Sequence, residues 1–347
     1  MYLAEYLPRL KQVSVKVEVG TSESIEAVSL AENVLLIRTP TSTVEVPLPV
    51  SHTASTKPTG YSFHDGVLSM TFSTASDTKG SSTFMELARS NAQLWSVSDL
   101  VAKTPRDSKN VNIFQFCCSN CHAVIIDSKS LKFIDMPSEF WQEMMDFWHC
   151  HKPHEHHHNE NDKNYNGKIQ PSQNQVYIGS YYLLLSGQSE KCEKCGSSLG
   201  IVEQGSTKLY KWRLNLCYKE TRETYPPFAA IFYLILDKVN SSAIRKFTFE
   251  TKSASTNIWV LNLGLSVSVA EVPVLENALK IFYIENPAET EDEVVEVPEE
   301  VYASFITEIS LINSRMPSDC QEAEMKVDED SKLYKVSYLV SRHGSSK

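Results

Sequence analysis

The 347-residue chain sets 33 Lys and Arg against 43 Asp and Glu, a formal net charge of -10. Its 41% hydrophobic content, with 15 Tyr and 14 Phe, can fill a core in one large or two ordinary domains. The acidic balance excludes autonomous, charge-driven attachment to nucleic acid, which needs clustered Lys and Arg, so no direct nucleic-acid binding is expected.

Residues Met1–Leu10 place Glu5 and Arg9 among scattered apolar side chains, so no secretory leader is expected. The longest apolar runs, such as Phe228–Leu236, fall well short of the roughly 20 residues a membrane-spanning helix requires. We therefore expect a soluble intracellular protein without a membrane partner. In a reducing compartment its 8 cysteines suit metal binding better than a disulfide framework.

The first hundred residues read as strands. Val13, Val15, Val17 and Val19 alternate with polar residues, and Val34–Ile37 is a branched run suited to a central strand. Pro47 and Pro49 push Val44–Val50 towards an edge, where a missing N–H does no harm. Asp65-Gly66 signals a hairpin between Tyr61–Phe63 and Val67–Phe72. Phe84–Leu100, with Leu87, Leu94 and Trp95, reads as a helix or an irregular packed segment, and Val111–Phe116 alternates again.

From Pro137 and Ser138 the spacing predicts a helix. Trp141, Met144, Met145 and Trp148 fall at i, i+3, i+4 and i+7, with Gln142, Glu143 and Asp146 opposite. Residues 152–175, dense in His, Asn, Lys and Gln, read as a disordered exposed loop. Order resumes at Val176–Gly179 and continues through Tyr181–Leu185 and Leu209–Leu216 around Trp212. The last third offers apolar segments at Ile258–Leu263 and Leu279–Ile284 and an acidic run at Glu289–Glu300 that reads as a solvated connector. A helix bearing Tyr302, Phe305, Ile306, Ile309 and Ile312 and a final strand at Tyr334–Val340 follow. The expected fold is a strand-rich α+β one in three parts. These are an N-terminal antiparallel sheet over 1–110, a zinc-clasped centre with the amphipathic helix over 111–216, and an α+β region over 217–347.

The clearest chemical signal is Cys118-Ser119-Asn120-Cys121 with Cys192-Glu193-Lys194-Cys195. Two C-x2-C turns supply four thiolates and leave no open coordination position, the donor set of a structural zinc site. Cys117 is one residue out of that spacing. Cys150, flanked by His149 and His151, fits a nucleophile for thioester transfer, a ligand offered to a partner's metal, an extra structural ligand, or a packed thiol. No phosphate-cradling Gly loop, H-E-x-x-H or G-x-S-x-G pattern appears.

Several of these residues occur together in an order that carries a resemblance. They are Cys118-x2-Cys121 with Val124-Ile125, Met136-Pro137-Ser138-Glu139-x-Trp141, Trp148-x-Cys150-His151, Ile178-Gly179, Cys192-x2-Cys195 with Leu199-Gly200, and more weakly Trp259–Asn262, Leu279–Tyr283 and Val336–Leu339. The chain resembles the HECT-like family of ubiquitin-conjugating-enzyme (E2)-binding proteins, whose animal members are described as ubiquitin ligases and whose yeast branch is linked to mRNA cleavage and polyadenylation. The resemblance implies binding of an E2 and promotion of ubiquitin transfer. It also implies a link to the metallo-β-lactamase-type endonuclease of pre-mRNA 3′-end processing. On that reading Trp141, Asp146, Trp148, His149, Cys150 and His151 bind the nuclease, and the protein works in nucleus and cytoplasm. We expect a non-catalytic regulator or escort of the nuclease, with an E2-dependent ligase as the alternative. The catalytic candidates for that alternative are Cys150 and Cys320, although no Thr precedes Cys320 and no His flanks it.

Overall fold

The computed structural model describes residues 1–20, 24–31, 33–50, 58–73, 93–136, 170–203, 205–289, 291, 293–327 and 330–342. The expected helix from Pro137 to Trp148, and most of the 152–175 loop, lie outside the described residues. The chain divides into two compact units, Met1–Asn91 with Ile244–Lys347, and Ala92–Ala243.

The first unit begins with β1 (Tyr2–Leu7), β2 (Gln12–Glu18), β3 (Ala27–Ala31), β4 (Val34–Arg38), β5 (Thr43–Pro47), β6 (Pro58–His64) and β7 (Val67–Ser73). The second contains α1 (Val97–Lys103), β8 (Gln115–Cys118), β9 (Val124–Asp127), β10 (Lys132–Asp135), β11 (Gln175–Ile178), β12 (Tyr182–Ser186), β13 (Gly200–Glu203), β14 (Ser206–Tyr210), β15 (Leu214–Tyr218), β16 (Thr221–Thr224) and α2 (Ala229–Ser242). The chain then completes the first unit with β17 (Lys246–Glu250), β18 (Ser255–Val269), β19 (Leu275–Glu285), β20 (Val294–Glu296), α3 (Glu299–Ser314), β21 (Glu322–Val327) and β22 (Asp330–Leu339). The fold is the strand-rich α+β kind expected, with mostly antiparallel pairing.

In the first unit the main sheet runs β21-β22-β19-β18-β1-β2-β7-β6, with β17 and β20 attached beside β18. Period-two alternation explains its two faces. Val13, Val15 and Val17 point to one side, where with Ala4, Leu68, Met70 and Phe72 they pack on Leu35, Ile37 and Val46 of the three-stranded β3-β4-β5 sheet. Leu3 points the other way, into a cluster with Val267, Phe282, Tyr338 and the α3-side residues Ile312 and Met316. As expected, β4 is central and the proline-containing β5 lies at an edge. Asp65 and Gly66, at φ 48° and 78°, make the left-handed two-residue turn between β6 and β7.

The organisation differs from the three-part reading in one respect. β1 pairs with β18, Leu3 opposite Val269, so the N-terminal strands are not a separate domain but share a sheet with the C-terminal region. Local periodicity is blind to such long-range pairing, which is decided by which apolar faces find each other. Likewise the acidic run is not all connector: Thr248–Glu250 of β17 pair in parallel with Val294–Glu296. Among the described residues no helix is long and apolar enough to cross a membrane.

The second unit holds a five-stranded sheet, β10-β11-β12-β14-β13, and a four-stranded one, β16-β15-β8-β9. Its aromatic core joins Trp95 to Phe116 at 5.3 Å and Phe114 to Phe133 at 4.9 Å between ring centroids. Those Phe side chains anchor β8 immediately before its first metal-candidate cysteine. Leu94 and Trp95 lead into α1, which Ser96 caps by accepting from the Asp99 N–H. Lys211 is fully buried in this core, its Nζ donating to Leu94 O at 2.6 Å and Ser180 O at 3.3 Å.

Candidate metal centre

The two C-x2-C segments fold into matching knuckles. In the first, Cys118 N–H donates to Ala123 O and His122 N–H donates back to Cys118 O. In the second, Cys192 N–H donates to Ser197 O and Gly196 N–H to Cys192 O. The residue after the second cysteine is left-handed in both, His122 at φ 61° and Gly196 at φ 72°. Glycine adopts that conformation without cost and histidine only with some, so the second knuckle is the easier to read from sequence.

Each knuckle hangs from a strand that fixes its position. β8 delivers Cys118, and Ser119 N–H donates to Arg213 O at 3.0 Å, tying the first knuckle to the turn before β15. The second knuckle is closed by pairing of Lys191 with Ser198 and leads into β13. There Gly200 is required by close approach, because a Cβ would run into the Lys208 carbonyl of the neighbouring strand. Asn120 Nδ2 donates to Ser197 Oγ at 3.0 Å, linking the knuckles directly.

The four sulfurs converge. Cys118 and Cys195 lie 3.8 Å apart, Cys121 and Cys192 3.6 Å, and all four ligand atoms fall within 4.8 Å of one another. A tetrahedral ion with Zn–S bonds of about 2.3 Å would separate its sulfurs by about 3.8 Å, whereas a disulfide would need about 2.05 Å. The arrangement therefore fits a four-thiolate metal ion, and all four cysteines are free. Cys118 and Cys192 are buried, Cys121 is half-buried and Cys195 exposed.

The thiols are electrically unequal. Hydrogen bonds from the Ser197 hydroxyl and N–H bring Cys195 down to about 5, so it stands ready as thiolate. The Ala123 N–H favours ionisation of Cys121, but desolvation and the neighbouring thiols outweigh it and leave Cys121 at about 11. A cation entering the cluster would therefore displace protons as it binds.

The cysteines outside the cluster have other settings. Cys117 is buried, with its thiol pushed up to about 12 by burial and then by the Cys217 thiol beside it. Cys320 sits on the short turn Ser318–Cys320, with Sγ 3.4 Å from Asp319 Oδ1, and burial pushes it up to about 12. Trp141, Asp146, Trp148, His149, Cys150 and His151 lie outside the described residues, so neither the proposed nuclease contact nor the Cys150 chemistry gains a geometry. Sequence reasoning missed the supporting residues: the Asn120 and Ser197 side chains and the Arg213 carbonyl belong to no motif. Gly196, directly after a C-x2-C pair, is the signal that could have marked the turn.

Two zinc-type knuckles strapped together within a strand-rich α+β fold define a candidate four-cysteine metal centre. The profile of the HECT-like ubiquitin-conjugating enzyme (E2)-binding family matches residues 5–327, and the chain belongs to that family. It is 28% identical over 299 residues to an uncharacterized protein of Saccharomyces cerevisiae, covering 81% of this chain and 82% of that one. It is also similar to an E3 ubiquitin-protein ligase of Rattus norvegicus, at 23% over 195 residues, and to the ligase of the same name from Mus musculus, at 25% over 193. These two matches each span 48% of this chain and half of the rodent protein. No solved structure matches.

Proposed function

We propose that this chain is a non-catalytic E2-binding protein, held in shape by a zinc ion on Cys118, Cys121, Cys192 and Cys195, that brings a ubiquitin-loaded E2 to its acceptor. The observation that carries the reading is the match to an E2-binding family over residues 5–327, which takes in nearly the whole of both compact units. The four-thiolate donor set supports a structural rather than catalytic ion, since no coordination position is left for water or substrate.

The setting of Cys320, the catalytic candidate that lies among the described residues, supports docking over covalent relay. Transthiolation needs a thiolate, and burial holds Cys320 near 12. On this reading ubiquitin passes from the E2 cysteine straight to the acceptor amine. The chain contributes proximity and orientation, which convert an encounter into an effectively unimolecular step.

Single-turnover discharge tests the proposal. A panel of E2s charged with labelled ubiquitin is mixed with the full chain and a lysine acceptor. At least one E2 is expected to discharge faster, with no reductant-sensitive ubiquitin adduct on the chain. An adduct abolished by Cys320→Ala or Cys150→Ala would overturn the non-catalytic reading. The expected escort role toward a metallo-β-lactamase-type endonuclease rests on the 137–151 segment, and nothing among the described residues adds to it.

A further inference from the structure

A cavity of about 230 Å³ opens in the first unit, away from the cysteine cluster. Its lining comes from β1, β2, β19, β21, β22 and the Ser318–Cys320 turn. β18 pairs with β19 through register shifts at Val260/Asn262, Asn262/Leu265 and Leu265/Val267, and such irregularities bend and over-twist a sheet. The turn beside β21 reaches β2, although β22, β19, β18 and β1 lie between β21 and β2 in the sheet. Lys16 Nζ reaches Asp319 Oδ2 at 2.6 Å and Ser318 Oγ reaches Glu18 Oε1 at 3.0 Å, closing the far side.

The lining is divided by chemistry. Leu3, Phe282 and Val336 give it an apolar wall. Glu5, only 8% exposed, holds its carboxylate in the cavity by accepting from Lys280 Nζ at 3.0 and 3.2 Å and from the Tyr338 hydroxyl at 3.1 Å. The Lys16–Asp319 pair faces the same space. The Glu5–Lys280 pair is largely buried and the Lys16–Asp319 pair exposed; a buried ion pair contributes little net stability, so its place beside an apolar wall points to recognition more than to folding.

We propose that this cavity binds a free, apolar α-amino acid as its zwitterion. Each ammonium carries three donors, and the bonds described leave capacity on both Lys16 and Lys280 for a carboxylate. Asp319 and Glu322 offer acceptors for an α-ammonium, while Leu3, Phe282 and Val336 cover the side chain. Two cations and three carboxylates already balance to within one charge, so a ligand with no net charge disturbs that balance least. The volume is below the roughly 300–1,000 Å³ of clefts that take drug-sized ligands and suits one amino acid. The inference is independent of the E2 reading.

The test is calorimetric titration of the full chain with leucine, in parallel with N-acetyl-leucine and leucinamide, which each keep one charge. Expected are saturable 1:1 leucine binding, a raised Tm, and affinities at least tenfold weaker for both blocked analogues. Lys16→Met is expected to weaken leucine at least tenfold, and Ala323→Phe, which fills the cavity from β21, should abolish binding should the Lys16 variant fail to fold. Absence of saturable heat with leucine and phenylalanine overturns the proposal. Equal binding of N-acetyl-leucine also overturns it, in favour of a peptide C-terminus.

Discussion

Replacing Cys192 by Ser probes the clasp most sharply. Cys192 is 1% exposed, and its sulfur lies 3.6 Å from that of Cys121, 71 positions away along the chain. An ion that binds only the native state stabilises it by mass action, by about 4 kcal/mol when free zinc is held at about 1,000 times its dissociation constant. For a domain of 150–250 residues each kcal/mol corresponds to about 2–4 °C, so loss of the clasp should lower the melting temperature of the 92–243 unit by about 8–16 °C. The assay pairs thermal unfolding by circular dichroism with metal content by mass spectrometry, in buffered zinc. Wild-type protein should hold one zinc per chain and the variant much less. Cys117→Ser, which changes the adjacent thiol outside the cluster, should keep its zinc. A fully zinc-loaded Cys192→Ser protein melting with wild type would refute the ligand assignment.

Burial lowers the Lys211 ammonium to about 7 from 10.5, so the unfolded chain binds this proton more tightly and stability should rise with pH between those values. Denaturant titrations of wild type and Lys211→Met should diverge by at most about 1.4 kcal/mol per pH unit across that window, in the wild type's favour as pH rises; a constant difference would place the group near its ordinary pKa. Gly200→Ala forces a methyl group into the Lys208 carbonyl and should cost about 1–3 kcal/mol, read from the shift in urea midpoint. Cys320→Ala should leave E2-stimulated discharge unchanged in the single-turnover assay, because its thiol is held protonated by burial.

The parts of the fold legible in the sequence are those set by local pattern. Alternating valines placed β2, Asp65-Gly66 placed the turn before β7, and the apolar spacing from Tyr302 to Ile312 placed α3. The four cysteine positions were legible because C-x2-C spacing is itself a geometric statement about one turn of chain. What local pattern did not contain was the pairing of β1 with β18, which merges the chain's two ends into one sheet. It also did not contain the parallel pairing of Val294–Glu296 beneath an acidic sequence. The cavity was invisible for the same reason: Glu5, Lys16, Lys280 and Asp319 are ordinary charged residues in sequence, and only the tertiary fold brings them to one space.

Equilibrium binding of purified E2s to the full chain, in zinc-loaded form and after metal removal by chelation, tests the central claim most directly. Saturable 1:1 binding of at least one E2 to the zinc-loaded chain, weakened at least tenfold once the metal is removed, is the predicted result. No detectable binding of any E2 by folded, zinc-loaded protein would contradict it.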